Sequence, residues 1–148
     1  MATRILFYRV GDDYGEFSNF SPHPVKIDEL SWDTTEHYFQ AMKFEDPDAR
    51  DRIRAADGPS AAARLGRTLA GLRPDWETAK DGVMMTALRA KFGQHDRLRR
   101  MLLDTGDAQL VEHSRNDAYW ADGGDGSGRN RLGELLMKLR VELRAAMG

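Results

Sequence analysis

Apolar residues recur at helical spacing most regularly near the C-terminus, where Leu132, Leu135, Leu136, Leu139 and Leu143 form one stripe between Asn130 and about Ala146. This pattern predicts a helix with one face in the core. Val83, Met84, Ala87, Leu88 and Lys91 repeat the spacing and predict a longer helix from Trp76 to about Phe92, with Asp75 as its cap. His95 to Asp104, carrying Leu98, Met101 and Leu102, predicts another that ends at Thr105-Gly106-Asp107. Pro47 and Pro59 suit the first turn of two short helices, with Gly66 and Gly71 at the exit. Asp33 or Thr34 can cap a helix reaching about Phe44, and Glu36 stands three residues after Asp33, where a capping-box carboxylate belongs.

Extended structure is sparser. Arg4-Ile5-Leu6-Phe7-Tyr8 is rich in β-favouring residues and precedes the turn-forming Gly11-Asp12-Asp13. A second extended piece is expected from Val25 to Trp32, and a short strand from Gln109 to His113. The segment Asp122-Gly123-Gly124-Asp125-Gly126-Ser127-Gly128 is glycine-rich but too short for a domain linker, and no internal repeat is present. The expectation is an α+β fold, a mainly helical single domain with a small β-sheet over residues 1–148.

Composition narrows the chemistry. The 148 residues are 41% hydrophobic and 31% charged, which suits one globular domain. The absence of cysteine removes disulfides, thiolate metal sites and a cysteine nucleophile from consideration. Met1 to Val10 lacks the apolar run of a signal peptide, and no stretch approaches the ~20 apolar residues of a membrane span, so the expected location is the cytoplasm, with no membrane partner. The net charge of −2 conceals arginine clusters at Arg50 to Arg54, Arg97 to Arg100 and Arg129 to Arg144, which read as solvated helix faces rather than a nucleic-acid stripe. His23, His37, His95 and His113 are far apart with no His-x-x-x-His pair, so neither a metal nor another cofactor is expected.

Within the helix expected after Trp32, Glu36, Gln40 and Lys43 project within about 60° of one another at ~100° per residue. Phe39 and Phe44 border this polar stripe. Two readings stand: a pocket wall of carboxylate, amide and amine, or an exposed Glu-Lys pair on an amphipathic helix. Asp117-Ala118-Tyr119-Trp120 runs into the glycine-rich loop, where glycine lets backbone approach a ligand closely. Gly128-Arg129-Asn130 lacks the Gly-Lys-Ser/Thr of a P-loop, and the acidic spacing does not fit a calcium loop. What remains for this segment is a phosphate site made of backbone amides and Arg129 or Arg131, or simply a structural turn. Trp76, taken alone, reads as a core residue at a helix start.

Together these segments carry a resemblance. The run from Tyr14-Gly15-Glu16-Phe17-Ser18-Asn19-Phe20-Ser21-Pro22 through Trp32-Asp33-Thr34-Thr35-Glu36-His37-Tyr38-Phe39-Gln40-Ala41-Met42-Lys43-Phe44 resembles the NADAR superfamily, whose bacterial members include the YbiA-like N-glycosidases. The likeness continues through Arg73-Pro74-Asp75-Trp76, Lys91-Phe92, Thr105-Gly106-Asp107 and Asp117 to Gly133. Ala121 departs from it, since the family commonly has glycine there, and its methyl is expected to narrow the loop or shift Trp120.

The resemblance implies an enzyme that cleaves the bond between ribose C1 and the exocyclic amine of a guanine-like base. Its substrates would be ribosylamino-pyrimidinone phosphates of early riboflavin synthesis or ADP-ribosylated guanine, and the modest negative charge favours a small nucleotide-like metabolite over duplex DNA. Lys43 would attack C1 as a Schiff-base nucleophile while Glu36 moves protons. Alternatively, Glu36 and Asp117 would serve as acid and base around an oxocarbenium-like transition state. Phe17, Trp76 and Trp120 would stack on the base, Asn19 and Gln40 would hydrogen-bond to it or to the ribose, and Gly124, Asp125 and Arg129 would complete the substrate site. Competing readings are a non-catalytic ADP-ribose or nucleotide-binding module and a helical interaction module.

Overall fold

A computed structural model describes residues 3–147, so the Met1 and Ala2 end of the expected leader-free N-terminus lies outside the described residues. In chain order the elements are strand β1 (Arg4–Phe7), a 3-10 turn (Gly15–Phe17), strands β2 (Val25–Ile27) and β3 (Leu30–Trp32), and helices α1 (Thr35–Ala41), α2 (Pro47–Arg54), α3 (Pro59–Thr68), α4 (Trp76–Gln94) and α5 (Asp96–Asp104). Strand β4 (Gln109–Glu112) and helix α6 (Arg131–Met147) follow. The fold is α+β and mainly helical. None of these helices is long and apolar enough to cross a membrane.

The chain forms two compact units: residues up to Ser18 together with those from His95 onward, and Asn19–Gln94. Each holds a two-stranded ladder, so the small sheet expected from the sequence is two separate pairs.

In the first unit β1 and β4 pair in parallel, with Arg4 opposite Gln109 and Phe7 opposite Glu112. Helix α6 packs on β4 through the predicted stripe, whose Leu132, Leu136 and Leu139 are almost fully buried. Burying each such side chain contributes roughly 1.5–3 kcal/mol. The helix comes so close that a Cβ on Gly133 would lie 2.0 Å from the Leu110 carbonyl oxygen. Asn130, just before α6, fastens this contact with its side chain: Nδ2 donates to Leu110 O at 2.9 Å and Oδ1 accepts from Glu112 N at 3.0 Å. At the other side of α6, the buried Arg140 donates to Thr105 Oγ1 and Ala108 O.

In the second unit β2 and β3 are antiparallel and the expected single extended piece is broken. Asp28 and Glu29 take φ of 52° and 69°, the pair of left-handed residues that a tight two-residue hairpin requires. The lack of glycine at the turn concealed it. Pro47 and Pro59 open α2 and α3 as expected. Gly71 follows α3 with φ 95°, but Gly66, expected at the exit, lies inside the helix. The core gathers Val25, Trp32, Tyr38, Ala41, Phe44 and Ile53.

The hairpin gives the first test. Relieving a left-handed non-glycine residue gains ~1–2 kcal/mol, and the greater unfolded-chain freedom of glycine removes roughly 0.5–1 kcal/mol of that. Glu29→Gly is therefore expected to raise unfolding free energy by about 0.5–1 kcal/mol in urea titration. Glu29→Val should lower it.

Candidate active site

Thr34, rather than Asp33, caps α1: its hydroxyl oxygen accepts from His37 N at 3.2 Å. The expected capping box with Glu36 is replaced by Thr34 and His37. His37 is fully buried, and because a carbonyl only accepts, its Nε2 donates to Ala56 O at 3.0 Å, leaving Nδ1 to accept from the Thr34 hydroxyl at 2.8 Å. The first turn is also tied to Asn19. Asn19 O accepts from Glu36 N at 3.2 Å, while Asn19 Oδ1 accepts from Thr35 Oγ1 at 2.8 Å and Nδ2 faces Met84 Sδ at 3.2 Å. A residue expected to bind substrate thus holds the backbone that carries Glu36.

Glu36 is 9% exposed and Gln40 7%, so the alternative of an exposed Glu-Lys pair does not describe this helix. Gln40 Nε2 donates to Glu36 Oε2 at 2.7 Å, a charge-assisted bond inside the protein. Gln40 Oε1 is buried without a hydrogen-bond partner and lies against Gly66 of α3. Interior helical glycine costs roughly 0.5–1 kcal/mol relative to alanine, so this packing offsets a local preference.

The helix ends earlier than expected, at Ala41, and Lys43 stands in the turn beyond it. Its backbone N donates to Gln40 O at 3.2 Å and its carbonyl accepts from Arg73 N at 2.8 Å. The side chain is half-buried. Burial lowers the Lys43 pKa most, the Glu36 charge opposes that shift, and Arg67 lowers it further. More of the amine is consequently neutral at a given pH than for an ordinary lysine. Phe39 packs edge-to-face on Trp76, with centroids 5.1 Å apart. Trp76 is 5% exposed and opens α4, a core position that leaves little of the ring for stacking on a base.

The late motif belongs to the first unit. Asp117 Oδ1 accepts from both Tyr119 N and Trp120 N at 2.8 Å. Trp120 is half-buried, edge-to-face with Tyr119 at 4.8 Å, and the exposed Arg129 guanidinium lies 4.9 Å from the Tyr119 ring centroid. Asp125 accepts from Ser127 N and Oγ, and the side-chain bond is the main reason its carboxyl stays below its ordinary range. Gly124, at φ 87°, approaches protein backbone: a Cβ there would meet Arg115 Cα at 2.9 Å. Ala121 is fully buried. Phe17 also has no accessible surface, packed edge-to-face on Phe7 at 5.6 Å, so the stacking role expected of it does not fit its place in the core.

With the geometry in hand, comparison with known proteins is decisive: the NADAR domain model matches residues 6–144. The chain belongs to the NADAR family. It is 56% identical over 142 residues to N-glycosidase YbiA of Escherichia coli strain K12, covering 95% of this chain and 89% of that protein. It is 44% identical over 155 residues to the riboflavin biosynthesis protein PYRR, chloroplastic, of Zea mays, covering 94% of this chain and 25% of that longer protein. The NMR structure of the Escherichia coli protein YbiA superposes with a TM-score of 0.92 at 54% identity, covering 99% of this chain and 89% of that one.

Three supports of this NADAR fold escaped the sequence reading. Asp122 is buried and accepts from His113 Nδ1 at 2.7 Å, Gly124 N at 2.8 Å and Ser114 N at 3.1 Å; burial pushes its carboxyl pKa up, but these bonds outweigh burial and hold it below its ordinary value. Lys91, which the apolar spacing included, is fully buried and donates to Ser21 Oγ at 2.7 Å. Gly66 is the third. A buried lysine among apolar positions was a signal in the sequence, whereas nothing periodic marks a glycine that faces a glutamine.

Titrating the lysine side chains by NMR tests the electrostatics. Glu36→Gln removes the charge that favours ammonium and is expected to lower the Lys43 pKa further, while Arg67→Ala removes a like charge and should raise it. Shifts of opposite sign to these would show that the charges do not act on Lys43.

Proposed function

We propose that this N-glycosidase hydrolyses the bond between ribose C1 and the exocyclic amine of an aminopyrimidinone base, acting on a small phosphorylated metabolite with Lys43 as nucleophile and Glu36 as proton carrier. The observation that carries the reading is a buried carboxylate on α1, Glu36, whose charge acts on the half-buried Lys43 amine just beyond the end of the same helix. Family membership and the enzyme names of the relatives favour catalysis over a non-catalytic ADP-ribose reader or a helical interaction module. The name of the maize relative points to riboflavin-pathway ribosylamino-pyrimidinones before ADP-ribosylated guanine. We read residues 1–148 as one NADAR-like domain, supported by a family match that runs through both compact units.

In the proposed sequence Glu36 first takes a proton from the Lys43 ammonium, which leaves the neutral amine; the glycosylamine nitrogen then expels the ring oxygen, which takes that proton from Glu36, leaving a protonated imine at C1. The neutral Lys43 amine adds to C1, a proton passes to the exocyclic nitrogen, and the base departs as a free amine. A lysine-bound imine remains. Water adds to it, a proton returns through Glu36, and the sugar aldehyde leaves, so one water is consumed overall. In the alternative, Glu36 and Asp117 act as acid and base and Lys43 binds a phosphate or sugar oxygen, which makes no use of a lowered lysine pKa.

Borohydride added during turnover of a ribosylamino-pyrimidinone phosphate is expected to trap the sugar on Lys43, read by peptide mass spectrometry. Lys43→Arg should lose both adduct and turnover, since guanidinium keeps the charge without nucleophilicity. Glu36→Gln should lower kcat by ~10²-fold or more. Substantial turnover by Lys43→Arg together with no adduct in the parent enzyme would overturn the amine mechanism, and preferential cleavage of ADP-ribosylated DNA would overturn the substrate assignment.

A further inference from the structure

Among the described residues six glycines take positive φ, where the backbone itself favours glycine, and Gly66 is not among them. It lies in the interior of α3 with no backbone need for glycine and against the local helix preference. What its missing side chain provides is space. A Cβ at position 66 would lie 1.9 Å from Gln40 Oε1 and 2.7 Å from Gln40 Cδ, with Gln40 Cβ at 3.2 Å. The clash therefore falls on the amide that donates to Glu36 Oε2 at 2.7 Å.

We infer that Gly66 is a positioning residue: the gap it leaves seats the Gln40 amide, and that amide holds the Glu36 carboxylate in the orientation used for proton transfer. The inference rests on the proposed role of Glu36 and adds a residue from a different helix to that role. A methyl at position 66 would drive the amide away by about 1 Å or more to restore ordinary contact distances. Gln40 is 7% exposed, so a displaced amide moves among packed neighbours, and the 2.7 Å bond to Glu36 is the contact that the shift strains. Once displaced, the amide leaves Glu36 without this donor. The buried Oε1, which has no hydrogen-bond partner, fits the same account: the amide is placed for the bond its nitrogen makes, at the expense of its oxygen.

The test compares Gly66→Ala, Gln40→Ala and the double variant in turnover of a ribosylamino-pyrimidinone phosphate, with thermal melting to follow the fold. Gly66→Ala is expected to lower kcat by on the order of 10- to 100-fold, as a ~1 Å misplacement near reacting groups does, with KM changed less than about threefold. The decisive reading is the coupling. If Gly66 acts through Gln40, adding Gly66→Ala to Gln40→Ala should change kcat less than about twofold, because the group it displaces is gone. Near-normal kcat in Gly66→Ala would overturn the inference, as would a double variant about tenfold or more below Gln40→Ala. Should Gly66→Ala not fold, the comparison of Gln40→Ala with the double variant decides alone. Glu36→Gln in the same assay separates the two levels: near-normal turnover there faults the proposed role of Glu36 itself, whereas a full loss there with a normal Gly66→Ala faults only the positioning by Gly66.

Discussion

A carboxylate nine-tenths out of water is costly unless donors meet it, and in the second unit the hydrogen bond from Gln40 to Glu36 contributes one such donor. Much of the surrounding structure is arranged so that this bond can form. Asn19 and Thr34 fix the first turn of α1, the buried His37 ties that turn to Ala56, and Gly66 leaves room for the amide. A seven-residue helix has little stability of its own, so its geometry depends on these contacts from loops and from α3.

Lys43 is governed by the same balance from the opposite side. Burial disfavours its ammonium form, Glu36 restores part of the preference for charge, and Arg67 takes some of it back. Placing Lys43 just past the end of α1, with its backbone held by Arg73, gives partial burial without removing the amine from reach.

The glycine-rich loop of the first unit shows another way of fixing irregular backbone. Asp117 and Asp122 accept backbone N–H groups, Asn130 bridges to β4, and Gly124 permits close approach to Arg115. Asp117, which reads as a possible acid or base in the sequence, accepts two backbone N–H groups and so helps to hold the loop in shape.

The sequence by itself determined the α+β class, the existence of each long helix, the proline starts of α2 and α3, the buried stripe of α6 and the ordered motifs of the NADAR family. These signals are local or periodic: a cap, a ring that fixes φ, or apolar residues recurring every three or four positions. Only the tertiary structure decided that Val25 to Trp32 turns back as a hairpin, that Phe17 belongs to a core, that Asn19 supports Glu36, and that Gly66 makes room for Gln40. Burial and long-range hydrogen bonds decide such matters, and they join positions far apart in the chain whose spacing follows no period.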